Sequence, residues 1–122
     1  MAGYRSERIA ELIHRELAVR LRRDIKDPDL TAVSITRVTV TRDLRRANIA
    51  YMPLGGGGIS DSMADAVERA ARSLRGPIGR ALRLRHAPEL VFHPDEHTEA
   101  AFRVMRLLDE VEPMADESEE NE

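Results

Sequence analysis

The sequence contains no cysteine and no tryptophan, and it has only two tyrosines and two phenylalanines. Without cysteine there can be no disulfide scaffold, thiolate zinc site, iron–sulfur cluster or thiol nucleophile, and nothing demands an oxidising compartment. So few aromatic rings leave little for base-stacking recognition of the kind used by RRM and OB folds. No apolar run approaches the roughly 18 residues a membrane span needs, and the opening stretch from Met1 to Arg8 turns charged without the hydrophobic segment of a signal peptide. A soluble, cytoplasmic protein without membrane contact is expected.

What is present is arginine. Of the 19 basic residues all but Lys26 are arginine, and guanidinium forks onto phosphate better than ammonium does. The formal net charge of -3 conceals a division along the chain. From Asp109 onward there are eight acids and no base, so residues 1–108 carry 19 bases against 14 acids, a net charge of +5. A basic body with an acidic tail suggests a polyanionic partner. The 122 residues make about one domain, expected over 1–111. Residues 112–122 offer one methionine and one alanine to any core and are expected to be a disordered acidic tail.

Periodicity supplies the elements. Ile9, Leu12, Ile13, Leu17, Leu21 and Ile25 recur at helical steps behind a candidate cap, Ser6, and the helix should end near Lys26-Asp27-Pro28. Its opposite face carries Arg8, Arg15 and Arg22 at seven-residue spacing, with Arg5 a turn earlier, which lines four guanidiniums along one side. Thr31 to Thr41 reads as a strand. Val33 and Ile35 fall on one parity and Val38 and Val40 on the other, so both pairs reach the core only through a β-bulge near Thr36-Arg37. A turn at Arg42 to Arg45 and a strand from Arg46 to Leu54 complete a hairpin. Ser60 or Asp61 then caps a helix, Gly76-Pro77 interrupts it, and Pro77 to Leu84 forms a third helix at an angle. Glu89 to Phe92 is a third strand, and Thr98 to Val111 has helical spacing. The fold class is α+β.

The strongest functional signal lies between residues 69 and 85, where Arg69, Arg72, Arg75, Arg80, Arg83 and Arg85 stand with no acid among them. Like charges this dense repel one another until phosphates neutralise them and release counterions. Within this stretch Gly76-Pro77-Ile78-Gly79 is a literal Gly-x-x-Gly between expected helices, the setting in which KH domains hold a nucleic-acid backbone. Pro77 removes one donor amide, so contact would rest on the arginines. The candidate RNA-binding residues are therefore Arg8, Arg15, Arg22, Arg72, Arg75, Gly76, Gly79, Arg80, Arg83 and Arg85. His93-x-x-x-His97 passes through Pro94 and reads as a turn rather than a metal site. No arrangement for nucleophilic, phosphate-loop or paired-carboxylate chemistry stands out, so neither an enzyme nor a cofactor is expected.

Three stretches then acquire a joint meaning: Ile25 to Leu30 (IKDPDL), Thr41 to Leu44 (TRDL) followed by Ala47, and Gly79 to Arg85 (GRALRLR) leading into Pro88 to Phe92 (PELVF). Together and in this order they resemble bacterial ribosome-binding factor A, over about residues 5 to 108. The resemblance implies a type II KH-like domain without enzymatic activity, and a monomer. It further implies binding to the 30S ribosomal subunit and the 5′ region of 16S rRNA, help in maturing the 5′ end of the precursor, cooperation with an assembly GTPase, and importance in the cold. The family's Ala-x-Gly kink matches Ala70-Ala71-Arg72, with arginine where glycine belongs, so the bend falls either there or at Gly76-Pro77. A KH-like protein-interaction module with a basic docking face is the alternative reading.

Overall fold

A computed structural model describes residues 4–23 and 26–95. The acidic stretch and the helix expected from Thr98 to Val111 lie outside the described residues, as do Ile25 and His97. Six elements follow one another: α1 (Tyr4–Arg23), α2 (Pro28–Thr31), β1 (Val33–Val40), β2 (Arg46–Pro53), α3 (Asp61–Ala81) and β3 (Glu89–Pro94). The strands form one sheet in the order β1-β2-β3. β1 and β2 are an antiparallel hairpin, whereas β3 runs parallel to β2 and is reached through α3 as the crossover. The helix and strand order is consistent with a KH-like fold.

The bulge falls where strand parity requires it. The β1–β2 register shifts between Ile35 and Arg37, so Ile35 opposes Tyr51 and Val38 opposes Ile49 while Thr36 is left over. Both halves of β1 thereby turn their apolar side chains inward. The extra residue is also fastened: the Thr36 hydroxyl bonds the carboxylate of buried Asp95, whose amide donates to the Tyr51 carbonyl just past β3. Ala47, Ile49 and Tyr51 face both long helices across a common core with Ile13, Leu17, Leu21, Val67, Leu74 and Ile78. The rings of Tyr51 and Phe92 meet edge to face at 5.8 Å.

Local chemistry explains the helix starts. Asp27 caps α2, its carboxylate accepting from the Asp29 amide at 2.9 Å, with Pro28 in the first turn where its missing N–H costs nothing. Of the two candidate caps for α3, Ser60 serves, accepting from the Met63 amide at 3.1 Å. Ser6, read as a cap for α1, instead sits inside that helix and is buried.

The largest correction concerns Gly76-Pro77. The expected third helix is not a separate element, because α3 runs unbroken from Asp61 to Ala81 with Pro77 inside it. A proline disfavours helical backbone at the preceding residue partly through that residue's Cβ, and glycine at 76 has none. The Gly-x-x-Gly pair is accordingly within a helix rather than in a loop. Gly79 is buried, and a Cβ placed on it would come within 2.7 Å of the Ala87 Cβ and 3.2 Å of the Ala87 Cα. Its missing side chain serves close packing of the returning chain, and no phosphate can approach it there.

Beyond Ala81 the helix closes in a Schellman turn. The Arg83 amide bonds the Arg80 carbonyl at 3.0 Å, and the Leu84 amide reaches back to the Gly79 carbonyl at 2.9 Å. The position that usually holds glycine is Arg83, with φ of 57°. An L-residue in this left-handed region is strained by about 1 kcal/mol or more.

Two substitutions test this account of the α3 terminus by chemical denaturation. Gly79→Ala should destabilise the protein by about 1–2 kcal/mol despite better helix propensity, because the new methyl meets backbone as well as a side chain. Arg83→Gly should stabilise it by about 1 kcal/mol by relieving the positive φ.

Candidate nucleic-acid interface

α1 and α3 lie side by side on one face of the sheet, α1 over β1 and α3 over β3. Arg8, Arg15 and Arg22 project from the side of α1 opposite its buried residues, and all three are exposed. They do not form one site. Arg8 and Arg15 line a shallow concavity together with Glu7 and Glu11, so this surface is of mixed sign. Arg22 borders a different hollow, between α1 and the start of β1.

The end of α3 is different in kind. Arg72, Arg75, Arg80, Arg83 and Arg85 are all exposed, and none of them forms an ion pair among the described residues. Arg69 does: its guanidinium lies 3.3 Å from the Asp27 carboxylate, on the flank of α3 toward α2. Gly76 is half-buried under the guanidinium of Arg80, which a Cβ at this position would meet at 3.3 Å. On the opposite flank Arg75 donates from Nε to the Ala87 carbonyl at 3.1 Å, which aligns it along the chain returning toward β3.

That returning chain brings Arg85 and His86 against the β1–β2 turn. Two adjoining concavities result, both bordered by Arg45 and His86. The larger, of about 480 Å³, is lined also by Arg5, Asp43, Leu44, Leu84 and Arg85. The smaller, of about 360 Å³, adds Arg75, Ala87 and Glu89. Of the expected site residues, Arg75 and Arg85 thus border adjoining hollows, Arg72, Arg80 and Arg83 stand on the exposed end of α3 and its terminal turn, and the α1 arginines lie apart. Arg5, Arg45 and His86 join from elements that no spacing rule connects. The hints in the sequence were Arg5 on the arginine line of the first helix, His86 next to the basic segment, and the basic composition of the turn, with Arg42, Arg45 and Arg46.

The turn is built by its own side chains. The Thr41 hydroxyl donates to the Asp43 carboxylate at 2.8 Å and accepts from the Arg46 amide at 3.1 Å, while the Arg45 amide also donates to Asp43, at 3.1 Å. Leu44 closes the turn through its amide to the Thr41 carbonyl at 2.8 Å, with φ of 64°. The Thr41 hydroxyl, then the Arg45 amide and the Arg45 charge, hold the Asp43 carboxyl below its ordinary value of 3.8. On the other edge of β2, His93 Nε2 is 3.0 Å from the Asn48 side-chain oxygen, a cross-strand contact. Deep in the core, burial and then the Glu68 charge push the Tyr51 hydroxyl up from its ordinary value.

The sequence model described as ribosome-binding factor A matches residues 5–108. A ribosome-binding factor A of Heliobacterium modesticaldum is 44% identical over 112 residues, covering 92% of this chain and 93% of that protein. The crystal structure of ribosome-binding factor A from Thermus thermophilus superposes with a TM-score of 0.63 at 22% identity, covering 73% of this chain and 94% of that one, which is a likeness of fold. A homology model of Thermus thermophilus ribosome-binding factor A, as fitted into the cryo-electron microscopy map of a complex of that protein with 30S, matches with a TM-score of 0.60 at 25% identity, covering 73% of this chain and 92% of that one.

A depressed carboxyl pKa stabilises the folded turn above the unfolded value, and the contribution disappears as pH falls through the lower folded value. Amide exchange at Leu44 and Arg45, measured at matched intrinsic rates, should therefore show the turn opening more readily at pH 3 than at pH 6. Asp43→Asn should flatten that dependence; an unchanged pH profile would show that Asp43 does not hold the turn.

Proposed function

Because the chain belongs to the ribosome-binding factor A family, we propose that it is a non-enzymatic assembly factor that binds the small ribosomal subunit through 16S rRNA. The observation that carries this reading is the acid-free arginine set at the end of α3, exposed and without ion pairs among the described residues. Such a surface is electrostatically unfavourable alone and favourable against phosphates. Arginine-to-phosphate contacts give affinity and orientation with little sequence choice, which suits a protein positioned by the shape of a folded rRNA.

Family membership supports a finer role. The factor acts on the immature 30S subunit, contacts the 5′ region of 16S rRNA, aids 5′-end maturation of the precursor, works alongside an assembly GTPase, and matters most in the cold. It does so as a monomer in the cytoplasm. Arg72, Arg75, Arg80, Arg83 and Arg85 form the primary contact. Arg8, Arg15 and Arg22 on α1 make secondary contacts, those of Arg8 and Arg15 weakened by Glu7 and Glu11 beside them.

Neutralising equal charge at two places tests the reading. Arg80→Ala with Arg83→Ala should strongly reduce co-sedimentation with immature small subunits and lower the salt slope of binding by roughly 1.4, about 0.7 for each lost phosphate contact. Arg37→Ala with Arg46→Ala removes the same charge from positions opposing Ala50 and Glu89, on the sheet face away from the helices, and should change little. Equal losses from both pairs would mean that net charge alone drives association.

A further inference from the structure

We infer that the larger concavity between the β1–β2 turn and the chain leaving α3 is a receptor for one unstacked nucleotide of single-stranded RNA. The inference rests on the protein's being an RNA binder and adds what that surface recognises. A plain phosphate site needs only charge, and this hollow has more. It is lined by Leu44 and Leu84, both half-buried at the edge of the core, and by the exposed residues Arg5, Arg45 and Arg85. At about 480 Å³ it falls within the range of small-ligand pockets and can take a base together with its sugar.

Each part of a nucleotide finds a partner of the right chemistry. Phosphates suit the arginines. The flat face of a base suits the two leucines, flanked by guanidinium planes and the His86 ring, both of which stack on bases. Asp43 supplies a charged acceptor in the same hollow, and exocyclic amino groups or a guanine N–H group are the donors an unpaired base offers. The aromatic rings that usually stack bases are committed elsewhere, since Tyr51 is buried and Phe92 packs against it. Apolar and guanidinium surface takes their place.

The hollow is also preformed. Leu44, in the turn, has φ of 64°, and Arg83, immediately before Leu84, has φ of 57°. These are the two non-glycine residues with positive φ among the described residues, and each lines the hollow or adjoins a residue that does. Glycine would relieve the strain at either position, but at 44 it would also remove a side chain that lines the hollow, so leucine there fits a binding role. Hydrogen bonds fix both segments: the Leu44 amide is held by Thr41 and the Leu84 amide by Gly79.

The test uses the full chain and a hexaribonucleotide of mixed sequence, with an abasic ribose-phosphate oligomer of the same length as the comparison. In an amide NMR titration the RNA should shift residues 43–45 and 84–86 most. By fluorescence anisotropy the abasic oligomer should bind at least about fivefold more weakly, as expected from the loss of base stacking. Arg45→Ala with Arg85→Ala, both exposed positions, should weaken RNA binding about tenfold or more with an unchanged melting temperature. Equal affinity for the abasic oligomer, or shifts centred on α1, would overturn the nucleotide receptor. If either occurs while small-subunit association persists and still depends on Arg80 and Arg83, the ribosomal reading stands without the receptor. Absence of small-subunit association in the unmodified protein would instead refute the ribosomal reading itself.

Discussion

The close contact between Gly79 and Ala87 is the constraint on which the basic end of the molecule depends. A side chain at residue 79 would hold the returning chain away from α3. With glycine there, the chain turns back through the Schellman closure, Arg75 bonds the Ala87 carbonyl, and the Glu89 amide reaches the Arg45 carbonyl at 2.8 Å as β3 begins its parallel pairing with β2. One packing contact thus positions the third strand and also carries Arg85 and His86 to the β1–β2 turn. Core and site share a single hinge of geometry.

The charge distribution follows the same division. The ion pairs among the described residues involve other arginines: Glu16 with Arg20, Asp27 with Arg69, and Glu89 with Arg46. These are surface pairs, each worth a fraction of a kcal/mol, and the aliphatic core dominates stability. The fold therefore loses little by leaving five arginines at the end of α3 without carboxylate partners among the described residues. What it gains is a surface whose electrostatic strain is relieved by a polyanion.

Much of the fold was legible because it is written in periodicity. The parity break between Ile35 and Val38 required the bulge, and Ser60, one of the two candidate caps, starts α3. The interruption at Pro77 was misread because the rule against helix before proline acts partly through a Cβ that Gly76 lacks. The role of Gly79 was invisible, since spacing says that a glycine is present and not which chain presses on it. Ser6 illustrates the same limit, as a serine near a helix start can cap or be enclosed. The arginines of α3 were legible as a cluster along one segment. Their partners Arg5, Arg45 and His86 were not, because they are assembled by tertiary contact from three separate parts of the chain.

The central claim is that RNA meets the end of the molecule where α3, the returning chain and the β1–β2 turn converge. Ultraviolet crosslinking of the full chain on immature small subunits, followed by mass spectrometric mapping of nucleotide-bearing peptides, addresses it most directly. The account predicts crosslinks concentrated in residues 42–45 and 80–87. Crosslinks confined to Arg37, Asn48 and His93, on the sheet face turned away from the helices, would contradict it.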